Sequence, residues 1–272
     1  MTRPDESITF LKDRGYSVLR MPRADVQPLQ TLLLAAKKDL TRLGDLATIT
    51  VAGTNPLPPL SLDNEAPIAI SGKESSSTNV EVGVNILGNI LTALGGNTLG
   101  ITAGYSKAKT MTFKFENVLE DHITVDRLDQ YLSTCNFRAD QKTITDALKK
   151  NTVYVITSTI KTNKFTVNAK GDGGVKAGLD VPVISGIASG KLKVDLTKAT
   201  EGTVAYEGDT PVVFGFQAVR LFVEEQDGRP IFAAMDPLKA GAAAARAAGK
   251  VEPTLLELEE GVFFRLEDQS RV

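Results

Sequence analysis

Residues 163–183 read NKFTVNAKGDGGVKAGLDVPV, and they decide the fold class because two alternating runs flank a glycine-rich turn. Apolar side chains occupy every second position before the turn and again after it, which is the period of a β-strand with one apolar face. The GDGG sequence at residues 171–174 is typical of a hairpin turn. A phosphate-binding loop is disfavoured, since a strand-like run follows instead of a helix. The apolar positions are Phe165, Val167, Ala169, Val175, Ala177, Leu179, Val181 and Val183.

The same period of two recurs in residues 79–86, 101–115 and 192–196. A glycine-rich interval, GNILTALGGNTLG at residues 88–100, separates the first two runs and has room for a turn of helix. Two hairpin-like units result, which we call the first segment (residues 79–118) and the second segment (residues 154–196). The further apolar positions are Val80, Val82, Val84, Ile86, Ile101, Ala103, Tyr105, Leu192, Val194 and Leu196.

The rest of the chain mixes helical and extended patterns. Helices are predicted over residues 27–43 and over residues 125–151, the latter split near Asn136. Strands are predicted at residues 15–22, 47–51 and 206–235, and the proline-rich residues 55–67 are predicted to be an extended loop. The predicted fold class is α+β, with a twisted antiparallel β-sheet core and surrounding helices.

Charge and composition exclude several classes of function. The net charge of −2 offers no basic excess to neutralise phosphates, so nucleic acid is not an expected partner. Residues 251–272 hold two arginines and six carboxylates, a charge of −4, and the remaining 29 basic and 27 acidic side chains give +2. The single Cys135 fits a reducing cytosol. A signal peptide and a membrane-spanning apolar run are both missing, so a cytoplasmic location is expected.

Residues that carry catalysis are scarce. His122 is the one histidine and is interpreted as a polar residue at a strand end, while Cys135 is interpreted as a structural thiol. The sequence contains no G-x-S-x-G, H-E-x-x-H or C-x-x-C motif. We therefore expect neither an enzyme nor a metal site.

The end of the chain differs from the rest. Residues 238–253 carry mostly small side chains and are predicted to be a protease-sensitive linker, with candidate cleavage positions at Leu238, Lys239, Arg246 and Lys250. Residues 254–272 hold too many apolar groups to leave in water, so we expect them to lie in a groove of the body, residues 1–237. The groups are those of Leu255, Leu256, Leu258, Val262, Phe263, Phe264 and Leu266.

Two stretches, TPVVFGFQAVRLF (residues 210–222) and LTRLGDLA (residues 40–47), resemble the bacterial gasdermins. With PLPPLS, FENVLEDHITVDRLDQYL and STIKTNKFTV, the resemblance extends over almost the whole chain. It implies the fold of a gasdermin N-terminal domain and the function of an autoinhibited pore-forming protein of antiphage defence. Residues 254–272 are then the C-terminal autoinhibitory peptide, removed by an activating protease that is encoded nearby and often caspase-like.

The resemblance also implies a course of events after cleavage. The body oligomerises into a ring on the lipids of the inner membrane, the two segments insert as β-hairpins, and the leak kills the infected cell. The candidate lipid-facing residues are Val80, Val82, Val84, Ile101, Ala103, Tyr105, Phe165, Val167, Leu179, Val181, Leu192 and Val194. Many bacterial members carry a palmitoylated cysteine near the N-terminus. Residues 1–10 hold no cysteine, so no cofactor or lipid group is expected there.

Two alternatives belong to other classes. In one, the protein is a non-lytic binding module whose tail mimics and blocks a partner site and is displaced by competition. In the other, it is an enzyme of unrecognised fold. Dye release from anionic liposomes after a cut in the linker discriminates the pore-forming protein from both.

Overall fold

The computed structural model describes residues 11, 15–34, 40–66, 72, 74–75, 77–138, 140–187, 192–226, 229–235 and 266–268. Its strands are β1 (Ser17–Arg23), β2 (Gln30–Leu34), β3 (Leu40–Asp45), β4 (Thr50–Val51), β5 (Ser61–Glu65), β6 (Thr78–Asn79), β7 (Thr110–Glu116), β8 (Leu119–His122), β9 (Asn136–Phe137), β10 (Val153–Lys170), β11 (Leu192–Asp195), β12 (Thr203–Gln226), β13 (Arg229–Met235) and β14 (Leu266–Asp268). Its α-helices are α1 (Leu46–Ile49), α2 (Val80–Ala93), α3 (Ile101–Gly104), α4 (Val125–Leu132), α5 (Lys142–Lys149) and α6 (Val181–Ile187). The predicted α+β class is confirmed.

The chain divides into two compact units, each assembled from three stretches. The first unit comprises Met1–Asp25, Asn64–Glu120 and Ile160–Gly215, and the second comprises Val26–Asp63, Asp121–Thr159 and Phe216–Val272. No helix within the described ranges is long and apolar enough to cross a membrane.

In the first unit, β7 and β10 pair antiparallel over seven residues, from Lys164 opposite Glu116 to Lys170 opposite Thr110. The β11 strand pairs antiparallel with β12, with Leu192 opposite Gly208. A tight turn at residues 171–174 is closed by the Gly171 N–H, which donates to the Val175 carbonyl at 2.7 Å. The predicted strands of β7, β10 and β11 and the predicted turn are therefore confirmed.

The predicted strand at residues 79–86 is wrong, because this stretch belongs to α2. The Asn79 side chain caps the helix by accepting from the Val82 N–H at 2.9 Å. Val84, Leu87 and Leu91 repeat at the spacing of a helix face and are buried. Gly95, with a φ of +80°, supplies the left-handed residue that ends the helix.

Two further stretches of the segments differ from their predictions. The strand predicted for residues 101–105 is wrong, because Ile101–Gly104 forms α3. The returning strand predicted for residues 175–183 is also wrong, because these residues run without regular structure into α6. Each stretch contributes buried apolar residues to the core of the first unit, including Ile101 and Leu179, and this packing outweighs the alternation of the sequence.

In the second unit, the predicted helix over residues 27–43 is wrong where the structure describes it. The stretch contains β2 and most of β3, which pair antiparallel with an irregularity between Thr31 and Leu32. On its other side β2 pairs with β10, with Leu33 opposite Val153. A buried strand carries a continuous apolar run, which periodicity alone does not separate from a helix. The strand predicted at residues 47–51 is α1 followed by the short β4.

Helices α4 and α5 confirm the split helical region predicted over residues 125–151, and they help to form the core of the second unit. In the proline-rich loop, Ser61–Glu65 is the strand β5.

The tail contributes β14, which pairs in parallel with β3, Leu266 lying opposite Leu40 and Asp268 opposite Arg42. These three residues lie beside the body, and the groove predicted to hold the apolar side chains of the tail stays a prediction. The remaining candidate tail positions lie outside the described residues: Leu238, Lys239, Arg246, Lys250, Leu255, Leu256, Leu258, Val262, Phe263 and Phe264.

Candidate membrane-inserting segments

Most apolar residues of the two segments meet in one buried cluster, the core of the first unit, whereas Val155 of the second segment belongs to the core of the second unit. Of the candidate lipid-facing residues, only Val82 and Ala103 lie outside this cluster; Val82 is half-buried and Ala103 is exposed. The apolar groups that share one face in a strand pattern therefore pack on each other here. The candidates in the cluster or against it are Val80, Val84, Ile101, Tyr105, Phe165, Val167, Leu179, Val181, Leu192 and Val194.

Several residues of this core are not apparent from the alternating pattern of the sequence. Leu87, Ile90 and Leu91 lie on the buried face of α2, and Tyr206 reaches the cluster from β12. The spacing of Val84, Leu87 and Leu91 would have revealed the helix face. The sequence around Tyr206 gives no local sign that this residue joins the core, because its hydrogen-bond partner, Tyr105, is distant in sequence.

Strand β7 lies in the C-terminal half of the first segment and pairs with β10, which lies in the N-terminal half of the second segment. Their register sets Phe165 opposite Phe115 and Val167 opposite Phe113. Phe113, Phe165 and Val167 belong to the cluster, and Phe115 packs against it. The intervening pairs are polar, including Lys164 opposite Glu116, whose Nζ and Oε2 atoms are 3.6 Å apart. This strand pair is already two-faced along its whole length.

The carboxylate of Glu74 accepts hydrogen bonds from both strands of this pair on their polar face. Its Oε1 accepts from the Thr112 hydroxyl on β7 and from the Asn168 amide on β10, the latter at 3.1 Å. The hydrogen bond from Thr112 lowers the pKa of Glu74, against the opposing effect of its partial burial. Glu74 is thus held as a carboxylate that bridges the two segments.

A buried pair of hydroxyls lies on the apolar side. The Tyr105 and Tyr206 hydroxyl oxygens are 2.8 Å apart, and both residues are fully buried. Burial raises the pKa of each phenol, so both stay neutral at physiological pH. One hydroxyl donates and the other accepts, and this bond links the first segment to β12.

The two residues considered for catalysis have other surroundings. His122 ends β8, as predicted, and its Nδ1 is buried without a hydrogen-bond partner in the described part of the chain. Cys135 is buried and its thiol donates to the Leu132 carbonyl at 3.7 Å. Burial raises the pKa of this thiol to about 11, so the nucleophilic thiolate is a minor species at neutral pH. Among the described residues, no group of three or more metal-ligating side chains comes together.

The chain is similar in sequence to known proteins of one family. The model of the Bacterial Gasdermin Family matches residues 19–229. A gasdermin of a Desulfuromonadales bacterium is 40% identical over 265 residues, covering 96% of this chain and 97% of that protein. A gasdermin of Lysobacter enzymogenes is 38% identical, covering 81% and 82%.

The chain therefore belongs to the bacterial gasdermin family, a family of pore-forming proteins. The solved bacterial gasdermin from Bradyrhizobium tropiciagri has a TM-score of 0.57 at 14% identity, over 98% of both chains, and this shared fold agrees with the assignment.

Proposed function

We propose that this chain is an autoinhibited pore-forming protein of antiphage defence. A protease encoded nearby, caspase-like or of another class, cuts within residues 238–253 and releases the tail. The body then leaves the cytoplasm, oligomerises on inner-membrane lipids and inserts both segments as β-hairpins of a large ring. The leak through this ring kills the infected cell.

The observation that carries this proposal is the burial of the two segments' apolar faces against each other. Membrane β-strands need about 9–11 residues with one apolar face, and the segments have that pattern although α2, α3 and α6 are helical. Refolding of these helices to strands would move the same side chains from the protein core to lipid. The apolar side chains buried in this core are thus the ones that would face lipid in the proposed pore.

The pairing of β7 with β10 supports insertion of the two segments side by side. Its apolar and polar faces already alternate in register, so lipid can meet one face and water the other without a change of partner. Only the rest of the two segments, which includes the helices α2, α3 and α6, needs to change to strands. A pre-formed pair also avoids unpaired backbone groups, which are costly in hydrocarbon.

The pairing of β14 with β3 supports an inhibitory role for the tail. A tethered strand binds at the high effective concentration that its linker provides, and a cut removes that advantage. Departure of β14 would also uncover the edge of β3, whose backbone N–H and C=O groups could then pair with another strand. Oligomerisation and release of the tail are then linked.

The test is dye release from liposomes of anionic bacterial lipids, using a specific protease site placed in residues 238–253. We expect the intact chain to retain the dye and the cut chain to release it. Retention by both would contradict the proposal and favour a non-lytic binding module whose tail blocks a partner site.

Ala103 offers a sharp variant, because it is a candidate lipid-facing residue that is exposed in this fold. Thr102 is its matched control, being exposed on the same short helix but on the opposite face of a strand. An arginine facing lipid costs up to ~2–4 kcal/mol per subunit, depending on its depth. We expect Ala103→Arg to slow dye release by about tenfold or more relative to Thr102→Arg, with equal thermal stability before the cut. Equal rates would exclude this stretch from the lipid face.

A further inference from the structure

Three glycines of the first segment, four residues apart, lie where the second segment packs against it. A Cβ added at Gly96 would be 2.8 Å from Leu192 Cδ2, and one at Gly104 would be 3.0 Å from Ile184 Cγ1. A Cβ at Gly100 would be 2.8 Å from Val183 Cγ1. We call these three glycines the glycine seam. Each faces an apolar side chain of the second segment, which would have to shift to admit an added Cβ.

The contact at Gly104 also involves the backbone. The Asp180 N–H donates to the Gly104 carbonyl at 3.1 Å, and the Ile184 N–H donates to the Asp180 carbonyl at 3.0 Å. This places the start of α6 directly on the end of α3. Ile184 is fully buried, and Gly104 is buried as well. The atoms nearest an added Cβ at Gly104 belong to the side chains of Ile184 and Val183, so the glycine makes room for the packing of α6.

Other glycines of the second segment serve no such contact. Gly178 and Gly186 have nothing within 4 Å of an added Cβ, and neither has a positive φ. Gly83 of the first segment is as tightly packed, because an added Cβ would be 2.7 Å from Met111 Sδ, but that contact lies within the first segment, whereas the seam glycines meet the second. The seam is also the contact that must open if α3 and α6 are to become strands while β7 and β10 stay paired.

We propose that the glycine seam is the clasp that holds residues 96–104 of the first segment against α6 and β11 of the second, and that it sets the rate at which these parts separate once the tail is gone. This inference rests on the proposed pore-forming function for its consequence, but the contact itself can be tested without it. Overpacking at the seam loosens the clasp, because Ile184 or Leu192 must move away from an added methyl group.

The experiment compares Gly104→Ala and Gly96→Ala with Gly178→Ala and Gly186→Ala in the full chain. Gly100 is left unchanged, because its φ of +81° would strain any side chain regardless of packing. The first readout is hydrogen exchange of residues 96–104 and 180–187 in the uncut chain. The second is the rate of dye release from anionic liposomes after a cut in the linker.

We expect both seam variants to exchange faster at these residues and, once cut, to release dye about tenfold faster than the control variants. In a double-mutant cycle, Ile184→Ala restores space beside Gly104→Ala, so the two changes should be non-additive. The clasp proposal is wrong if the cut parent releases dye but the seam variants match the control variants in both hydrogen exchange and dye release. That result would leave the proposed pore-forming function standing.

Failure of the pore is distinguishable from failure of the clasp. If the cut parent releases no dye, the proposed function is wrong, and the exchange of the uncut variants still decides whether the seam holds the segments together. Faster exchange confined to the seam supports the clasp, whereas exchange unchanged from the controls refutes it.

Discussion

The hydroxyl groups of Tyr105 and Tyr206 have each other as hydrogen-bond partner inside an apolar core. Tyr206→Phe would leave the Tyr105 hydroxyl buried without that partner, at a cost of about 1–3 kcal/mol in the free energy of unfolding. Replacing both by Phe removes both polar groups and keeps the rings, so we expect the double variant to recover most of the loss. Urea denaturation of the parent, both single variants and the double variant measures the four stabilities.

This cycle separates the hydrogen bond from ring packing. Phe165 stacks on Tyr206 with ring centroids 5.2 Å apart, and Phe keeps that contact. If the two single losses simply add in the double variant, the hydroxyls do not depend on each other and the assigned bond is wrong.

Among the elements, β14 is a short strand whose three residues pair with β3. Glu267 is the middle residue of the three, so Glu267→Pro removes its backbone N–H and fixes its φ at about −65°, which disfavours pairing of β14 with β3. We expect faster hydrogen exchange of β3 and, without any cut, dye release about tenfold faster than from the parent.

Glu267→Ala is the matched control, because it removes the carboxylate and keeps the N–H. It should leave both exchange and dye release close to those of the parent. If Glu267→Pro also leaves them unchanged, β14 does not restrain the body, and any inhibition must come from tail or linker residues outside 266–268.

For the whole molecule, the position of the cut decides the charge of the released body. Residues 251–272 carry −4, so a body ending at Lys250 carries +2. Lys239, Arg246 and Lys250 together carry +3, so a body ending at residue 237 carries −1. Each basic residue near an anionic bilayer contributes about 1 kcal/mol to binding. We therefore expect the longer body to bind anionic vesicles more tightly.

Engineered sites after residue 237 and after residue 250 give the two bodies from otherwise identical chains. Co-sedimentation with anionic vesicles at low salt should separate them, and about 0.5 M salt should remove the difference because it screens surface charges. Equal binding at low salt would mean that the linker's basic residues do not reach the membrane.

Elements whose pattern allowed one interpretation were predicted well from the sequence. The polar and apolar alternation of residues 110–116 and 163–170, the turn at residues 171–174 and the split helices α4 and α5 all arise from local signals. Residues 80–93 allowed two interpretations, because Val80, Val82 and Val84 alternate while Val84, Leu87 and Leu91 fit a helix face. The cap at Asn79 and burial on a distant part of the chain favour the helix.

Local sequence was enough to predict the family, the α+β class, the acidic tail and the amphipathic pattern of both segments, because each of these is a property of neighbouring residues or of composition. The packing of the segments' apolar faces on each other, in contrast, became visible in the fold, as did the links that Glu74 and the Tyr105–Tyr206 pair make between distant strands and the position of β14 on β3. The physical reason is that burial free energy depends on which surfaces meet. Periodicity reports which face of an element is apolar but not what covers it.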